Sequence, residues 1–188
     1  NNSVTDSAIN ILELDDKGLQ QYRQQTISMV FQHFGLMPHL TVIQNVAYGL
    51  RVRKMSVSAR HEIARHWLNE VGLPNLETSY PDELSGGMQQ RVGLARALAT
   101  DTPILLMDEA FSALDPLIRN QLQDQLLELQ ERLHKTIVFI THDIDEAVKV
   151  GQRISILNGG RLVQTGTPAQ LRDTPADDYV AQFMSAKH

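Results

Sequence analysis

Two neighbouring stretches limit what this chain can fold into. Leu84-Ser85-Gly86-Gly87-Met88-Gln89-Gln90-Arg91 runs directly into an apolar helical pattern at Val92, Ala95 and Leu98, and Ile104-Leu105-Leu106-Met107 is a short unbroken apolar run closed by Asp108-Glu109. An unbroken run of that length reads as a parallel strand buried on both faces, which calls for an α/β architecture with helices packed on a sheet. A helix that begins at Ser-Gly-Gly offers unpaired N–H groups, partial positive charge and backbone uncovered by side chains, the properties of a phosphate seat. Two adjacent carboxylates at a strand end can hold a hydrated Mg²⁺ and an attacking water. Taken singly, the first stretch is an ordinary cap with a turn and the second a solvated strand end. Together they point to nucleotide phosphate.

Composition narrows the remaining choices. The 188 residues suffice for one domain, or for one domain with a smaller helical lobe. A net charge of −5 without any Lys/Arg run leaves no basic footprint for nucleic acid or an anionic membrane surface. With no cysteine a disulfide framework is ruled out, which fits a reducing compartment. Apolar runs such as Ile104–Met107 and Ile137–Ile140 are far shorter than the roughly 20 residues needed to span a bilayer, so membrane association is expected through a partner protein. The polar opening Asn1–Asp6 does not read as a signal peptide.

In chain order, residues 1–25 hold a short apolar stretch, Ile9 to Leu14, and no glycine-rich loop. Ile27–Phe31 reads as a strand ending on Gln32, followed by a loop whose Phe34, Leu36, Met37 and Leu40 either face a partner or tuck into a local core. Thr41 caps a helix with Val42, Val46 and Leu50 on one face, and Ser58 caps a second with the stripe Ile63, Trp67, Leu68 and Val71, closed by Gly72. His61 and His66 lack metal-ligand spacing and read as solvated helix positions. Tyr80-Pro81-Asp82-Glu83 forms a turn. Asp115-Pro116 starts the helix bearing Ile118, Leu122, Leu126, Leu129 and Leu133. Thr136–Thr141 reads as another buried strand, which brings His142-Asp143 to the same sheet end as Asp108-Glu109 because parallel strands share direction. Asp143 caps a helix ended by Gly151. A hairpin with an Asn158-Gly159-Gly160 turn follows, and Thr167-Pro168-Ala169-Gln170 starts a last helix.

Residues 84–91 reproduce the ABC signature motif and 104–109 the Walker B motif, so the chain resembles, over essentially its whole length, the nucleotide-binding subunit of an ABC transporter. The resemblance implies a P-loop-NTPase-like (RecA-like) parallel sheet core, residues 1–40 and 101–188, with an inserted α-helical signature lobe, residues 41–100. It implies ATP and Mg²⁺ as ligands, Glu109 and His142 as catalytic residues, and Asp108 and Gln32 at the metal. Gln32, Ser85, Gly86, Gly87, Gln89 and Asp115 are implied as nucleotide contacts, with Ser85 and Gly87 completing the site of the opposite copy and Ser112-Ala113-Leu114-Asp115 as the D-loop that crosses the interface between the two. Implied partners are a second copy forming a homodimer, an integral-membrane permease, and indirectly a substrate-binding protein, at the cytoplasmic face of the membrane; no nucleic acid is implied. Ser28–Phe34, Ser79–Leu84 and Glu109–Arg119 narrow the resemblance to importers of glycine betaine, proline betaine and choline, although Ala110 stands where most relatives have proline.

One departure qualifies this. Gly-x-x-x-x-Gly-Lys-Ser/Thr occurs nowhere, and there is not even a Gly-Lys pair. The resemblance places that phosphate loop, its strand and the preceding antiparallel strands upstream of Asn1, with the absent strand between those at 136–141 and 153–157. The 188 residues alone are therefore expected not to turn over ATP. The main reading is the motor of an osmolyte importer. The alternatives are a non-catalytic dimerisation or regulatory module and an importer motor for another solute such as amino acids.

Overall fold

The computed structural model describes residues 9–112, 114–133 and 135–185. Asn1–Asp6 and the D-loop's Ala113, both interpreted above, lie outside the described residues.

Three short strands form a parallel sheet in the order β1 (Ile27–Val30), β2 (Ile104–Asp108), β3 (Thr136–Ile140). The register aligns Val30 with Met107 and Asp108 with Ile140, so all three strands end at one edge. Because side chains alternate along a strand, Val30, Leu105 and Met107 share one face with Ile137 and Phe139, and that face packs on the core formed with Leu122, Leu126 and Leu129. The other face carries Ile104, Leu106, Val138 and Ile140 and is open, with Val138 47% and Ile140 56% exposed. The expectation of strands buried on both faces is corrected: apolar runs at 104–107 and 137–140 are covered on one side only among the described residues.

The helical part begins with an element that the sequence pattern did not signal. Helix α1 (Asp16–Gln25) buries no residue; Asp15 starts it by accepting from the Gly18 N–H at 2.7 Å. The helix expected after Thr41 is two, α2 (Val42–Val46) and α3 (Tyr48–Val52), hinged at Ala47, with Val42, Val46 and Leu50 buried as the spacing predicts. Helix α4 (Val57–Glu70) is capped by Ser56 rather than Ser58, because Ser56 is the residue whose Oγ accepts from an N–H three residues on, that of Ala59. Its stripe buries Ala64, Trp67, Leu68 and Val71 before Gly72 turns at φ +71°. Of its two histidines, His66 is exposed but His61 is half-buried; burial, then Arg60 and Arg65, lower the His61 pKa. Helix α5 (Gly86–Ala99) is buried on nearly all sides, since Val92, Leu94, Ala95, Ala97 and Leu98 all lie in the core. It packs on α4, α2 and β1.

After β2, α6 (Pro116–Leu133) lays Leu122, Leu126 and Leu129 on the sheet, and after β3 comes α7 (Ile144–Val150). The hairpin β4 (Ile154–Asn158) and β5 (Arg161–Gly166) forms a separate two-stranded sheet. Its positive φ values fall on Gly159 and Gly160, at +55° and +76°, while Asn158 pairs with Arg161 inside the ladder, so the left-handed conformation rests on the residues with no Cβ. Thr167 and Gln170 cap α8 (Pro168–Asp173) reciprocally. A further helix, α9 (Asp178–Ser185), follows, so α8 is not the last; Val180 and Leu171 close a small core with Ile154 and Ile156.

Candidate functional site

The shared strand direction brings three loops together at the C-terminal edge of the sheet. Gln32, just past β1, donates from Nε2 to Glu109 Oε2 at 3.0 Å, and His142, just past β3, places Nδ1 3.3 Å from the same oxygen. Glu109 itself follows Asp108 at the end of β2. Its N–H donates to the Ile140 carbonyl at 2.9 Å, which prolongs the β2–β3 ladder by one step and sets where the carboxylate projects. Ser112 bonds back to the Glu109 carbonyl through Oγ at 2.9 Å and lies 3.5 Å from Gln32 Nε2. Glu109 has φ +45°, a left-handed backbone that is unusual for a residue with a long side chain and that clusters at functional sites. The Glu109 side chain is 30% exposed and that of His142 70%, so the carboxylate is sheltered at the base of an open edge and the imidazole stands at its rim.

The loop carrying Gln32 is tied to α5. Phe34 and Gly35 turn at φ +58° and +56°, and Arg96 holds both carbonyls, Nη2 to Phe34 at 2.9 Å and Nη1 to Gly35 at 2.6 Å. Burial lowers the Arg96 pKa, though a guanidinium stays charged in a protein. The fully buried Asn45 bonds the Met37 N–H and the Met37, Leu40 and Thr41 carbonyls. Phe34, Leu36, Met37 and Leu40 are all half-buried, and of the four Leu36 is packed against the core.

The start of α5 lies apart. Ser85 caps it by accepting from the Met88 N–H at 3.3 Å. Gln89 Nε2 donates to the Pro81 and Leu84 carbonyls, at 2.9 and 3.2 Å, bracing the turn that delivers the chain to Ser85. At Gly87 a Cβ would meet Ile118 Cγ2 at 2.8 Å, so this glycine permits α6 to approach; at Gly86 the nearest atom is a Phe34 ring carbon at 3.7 Å. Ser85, Gly87, Leu73, Arg91 and Ile118 line a groove of about 340 Å³ that includes none of Gln32, Asp108, Glu109 or His142. Among the described residues no hydrogen bond or ion pair joins the two regions. The resemblance assigns Ser85 and Gly87 to the site of the opposite copy, so it calls for no such contact within one chain. Asp115 caps α6 as its pairing with Pro116 predicts, Oδ1 accepting from the Leu117 and Ile118 N–H groups, both at 3.1 Å.

Sequence reasoning missed the supports of this site. In the sequence Ser112 stands out only as part of the D-loop, and Arg96, Asn45, Gln123 and Glu146 carry no motif. None stands in a spacing that marks it, and only the packing of α5, α6 and α7 shows what each one touches.

A parallel sheet that gathers an amide, a carboxylate and an imidazole at its C-terminal edge, together with a separate helix begun by Ser-Gly-Gly, defines an α/β nucleotide-cassette architecture. Residues 4–112 match the family model described as ABC transporter, and the chain belongs to that family. It is 54% identical over 175 residues to the glycine betaine/proline betaine transport system ATP-binding protein ProV of Escherichia coli, covering 93% of this chain and 44% of ProV. It is 46% identical over 176 residues to the choline transport ATP-binding protein OpuBA of Bacillus subtilis, covering 93% and 45%. The chain thus spans less than half the length of these relatives. Among solved structures it resembles the dimeric ATP-binding cassette MJ0796 in a post-hydrolysis state bound to ADP and Pi, with TM-score 0.74 and 38% identity over 82% of this chain and 68% of that one. No helix among the described residues is long and apolar enough to cross a membrane.

Proposed function

We propose that the protein carrying this chain is the ATP-binding and ATP-hydrolysing subunit of an importer for glycine betaine or a related quaternary-ammonium osmolyte. The observation that carries the catalytic part is the convergence of Gln32 and His142 on one oxygen of Glu109. The solute class rests on relatives named for glycine betaine, proline betaine and choline transport.

The oxygen donors at the sheet edge suit a hard cation. No group of three or more His, Asp or Glu that could hold a metal occurs among the described residues. Mg²⁺, however, typically takes only one or two carboxylates and completes its shell with water and substrate phosphate, so Asp108 with the amide oxygen of Gln32 fits. When bound, Mg²⁺ would neutralise charge on the nucleotide phosphates. Glu109 would orient the attacking water and accept its proton; Gln32 and His142 would hold that carboxylate in place, and His142, at the open rim, would reach the γ-phosphate. Ser85, Gly86 and Gly87 start a helix of 14 residues and would present their N–H groups to phosphate. Because they sit apart from Glu109 in one chain, the reading assigns them to the nucleotide of a second copy, with Asp115 at the interface and Gln89 bracing the turn.

On this reading residues 1–40 and 101–188 form the core and 41–100 the signature lobe. The subunit docks on an integral-membrane permease from the cytoplasmic side, and a substrate-binding protein acts through that permease. The test is uptake of radiolabelled glycine betaine, histidine and phosphate in a strain lacking the gene and complemented with it. Glycine betaine uptake restored in preference to the other two is the expected result; preference for histidine or phosphate overturns the solute assignment.

A further inference from the structure

Beneath His142 lies a buried hydrogen-bonded chain that the catalytic reading leaves without a purpose. Glu146, on α7, is 5% exposed, and no cation lies beside it among the described residues. Its Oε1 accepts from Nε2 of Gln123, a residue on α6 that is itself 3% exposed, at 3.0 Å; its Oε2 accepts from the Thr141 hydroxyl. The Thr141 Oγ accepts in turn from the Asp143 N–H at 3.0 Å. Asp143 Oδ1 caps α7 at Asp145 and Glu146, and its Oδ2 lies 3.2 Å from Arg119 Nη1, whose neighbouring Nη2 donates to the Leu114 carbonyl. Thr141 and Asp143 flank His142 on either side. Both are anchored to α6, one through Glu146 and Gln123, the other through Arg119. A carboxyl group out of water is costly unless its oxygens are satisfied. Here both are, and one of the two bonds serves the loop that displays the imidazole.

We infer that Glu146 is a positioning residue for His142: with Gln123 as its fixed support, it sets the Thr141–Asp143 loop so that Nδ1 of His142 meets Glu109. The inference rests on the proposed ATPase for its kinetic part and on loop geometry alone for the rest. The chemistry it needs is a matched donor and acceptor between α6 and α7, and no particular charge. Glu146→Met, of similar length, removes both acceptors. Gln123→Glu sets a second carboxyl against the first. The Gln123→Glu/Glu146→Gln exchange restores a pair, because the amide then donates to the carboxyl on α6 while its oxygen still accepts from Thr141.

In the full-length protein, Glu146→Met and Gln123→Glu should each lower kcat for ATP by about tenfold with KM changed less than about twofold, and the exchange should recover most of kcat. In a His142→Ala background Glu146→Met should have almost no further effect on kcat, an outcome that general damage to the fold would not give. The loop itself is read by hydrogen exchange. Peptides covering 141–147 should exchange about tenfold faster in Glu146→Met and return to normal in the exchange variant, with peptides of β2 unchanged. Unaltered exchange at 141–147, an undiminished effect in the His142→Ala background, or failure of the exchange variant to recover would overturn the inference. If the unsubstituted protein hydrolyses no ATP, the proposed function fails, and the exchange pattern at 141–147 still decides whether Glu146 sets the loop.

Discussion

The sheet edge and the start of α5 carry the two halves of the same resemblance, yet they are built differently. At the sheet edge the residues complete one another: Gln32, Glu109, Ser112 and His142 come from three loops and touch within one chain. At the start of α5 the polar contacts of Ser85 and Gln89 are local. Ser85 caps its own helix, Gln89 braces the adjoining turn, and Gly87 makes room for Ile118. The first region is therefore self-supporting. The second is shaped but faces nothing of its own chain among the catalytic residues, and the proposed dimer gives it a ligand.

Substitutions can break this contrast in order of size. The largest effect is expected from Glu109→Gln in the full-length protein, where loss of the acceptor that orients water should reduce ATP turnover by roughly 10²–10⁴-fold while ATP-dependent dimers accumulate. Phosphate release with gel filtration measures both, and normal turnover would remove Glu109 from the catalytic role. Next is Gly87→Ala. Its Cβ would sit 2.8 Å from Ile118 Cγ2, so the melting temperature should fall by the equivalent of about 1–3 kcal/mol. Ile118→Leu, which removes the β-branch, should recover part of that loss; a second variant with no recovery would mean that the glycine serves something other than packing. The smallest is Ser85→Ala, which removes a helix cap and should cost about 1 kcal/mol, close to the value for Asp115→Ala at the start of α6. If both caps cost the same in stability but only Ser85→Ala also weakens ATP-dependent dimerisation, the α5 start acts on a partner's nucleotide as proposed. Equal behaviour in both assays would argue that it is only a cap.

What could be read in the chain followed the range of the forces involved. Caps at Ser85, Asp115, Asp143 and Thr167 were legible because a side-chain oxygen and an N–H two or three residues on lie within one turn. Ser56 in place of Ser58 shows the limit of that legibility, since two serines two residues apart offer the same chemistry and only the backbone entering the helix selects one. Helix α1 escaped because its glutamine-rich run has no apolar stripe and buries nothing.

The sequence alone settled the element types along most of the chain. It also brought Glu109 and His142 to one edge, because strands joined by helical crossovers run parallel and end together. It could not decide that one sheet face would be left open among the described residues, since an unbroken apolar run is the same string whether one neighbour packs on it or two. Nor could it pair Gln123 with Glu146, or Arg96 with the Phe34–Gly35 turn. Those contacts join residues 23 and about 60 positions apart, and depend on which sides of α5, α6 and α7 face their neighbours. That choice is made by the summed packing of the core, which no local pattern encodes, and the tertiary structure supplied it.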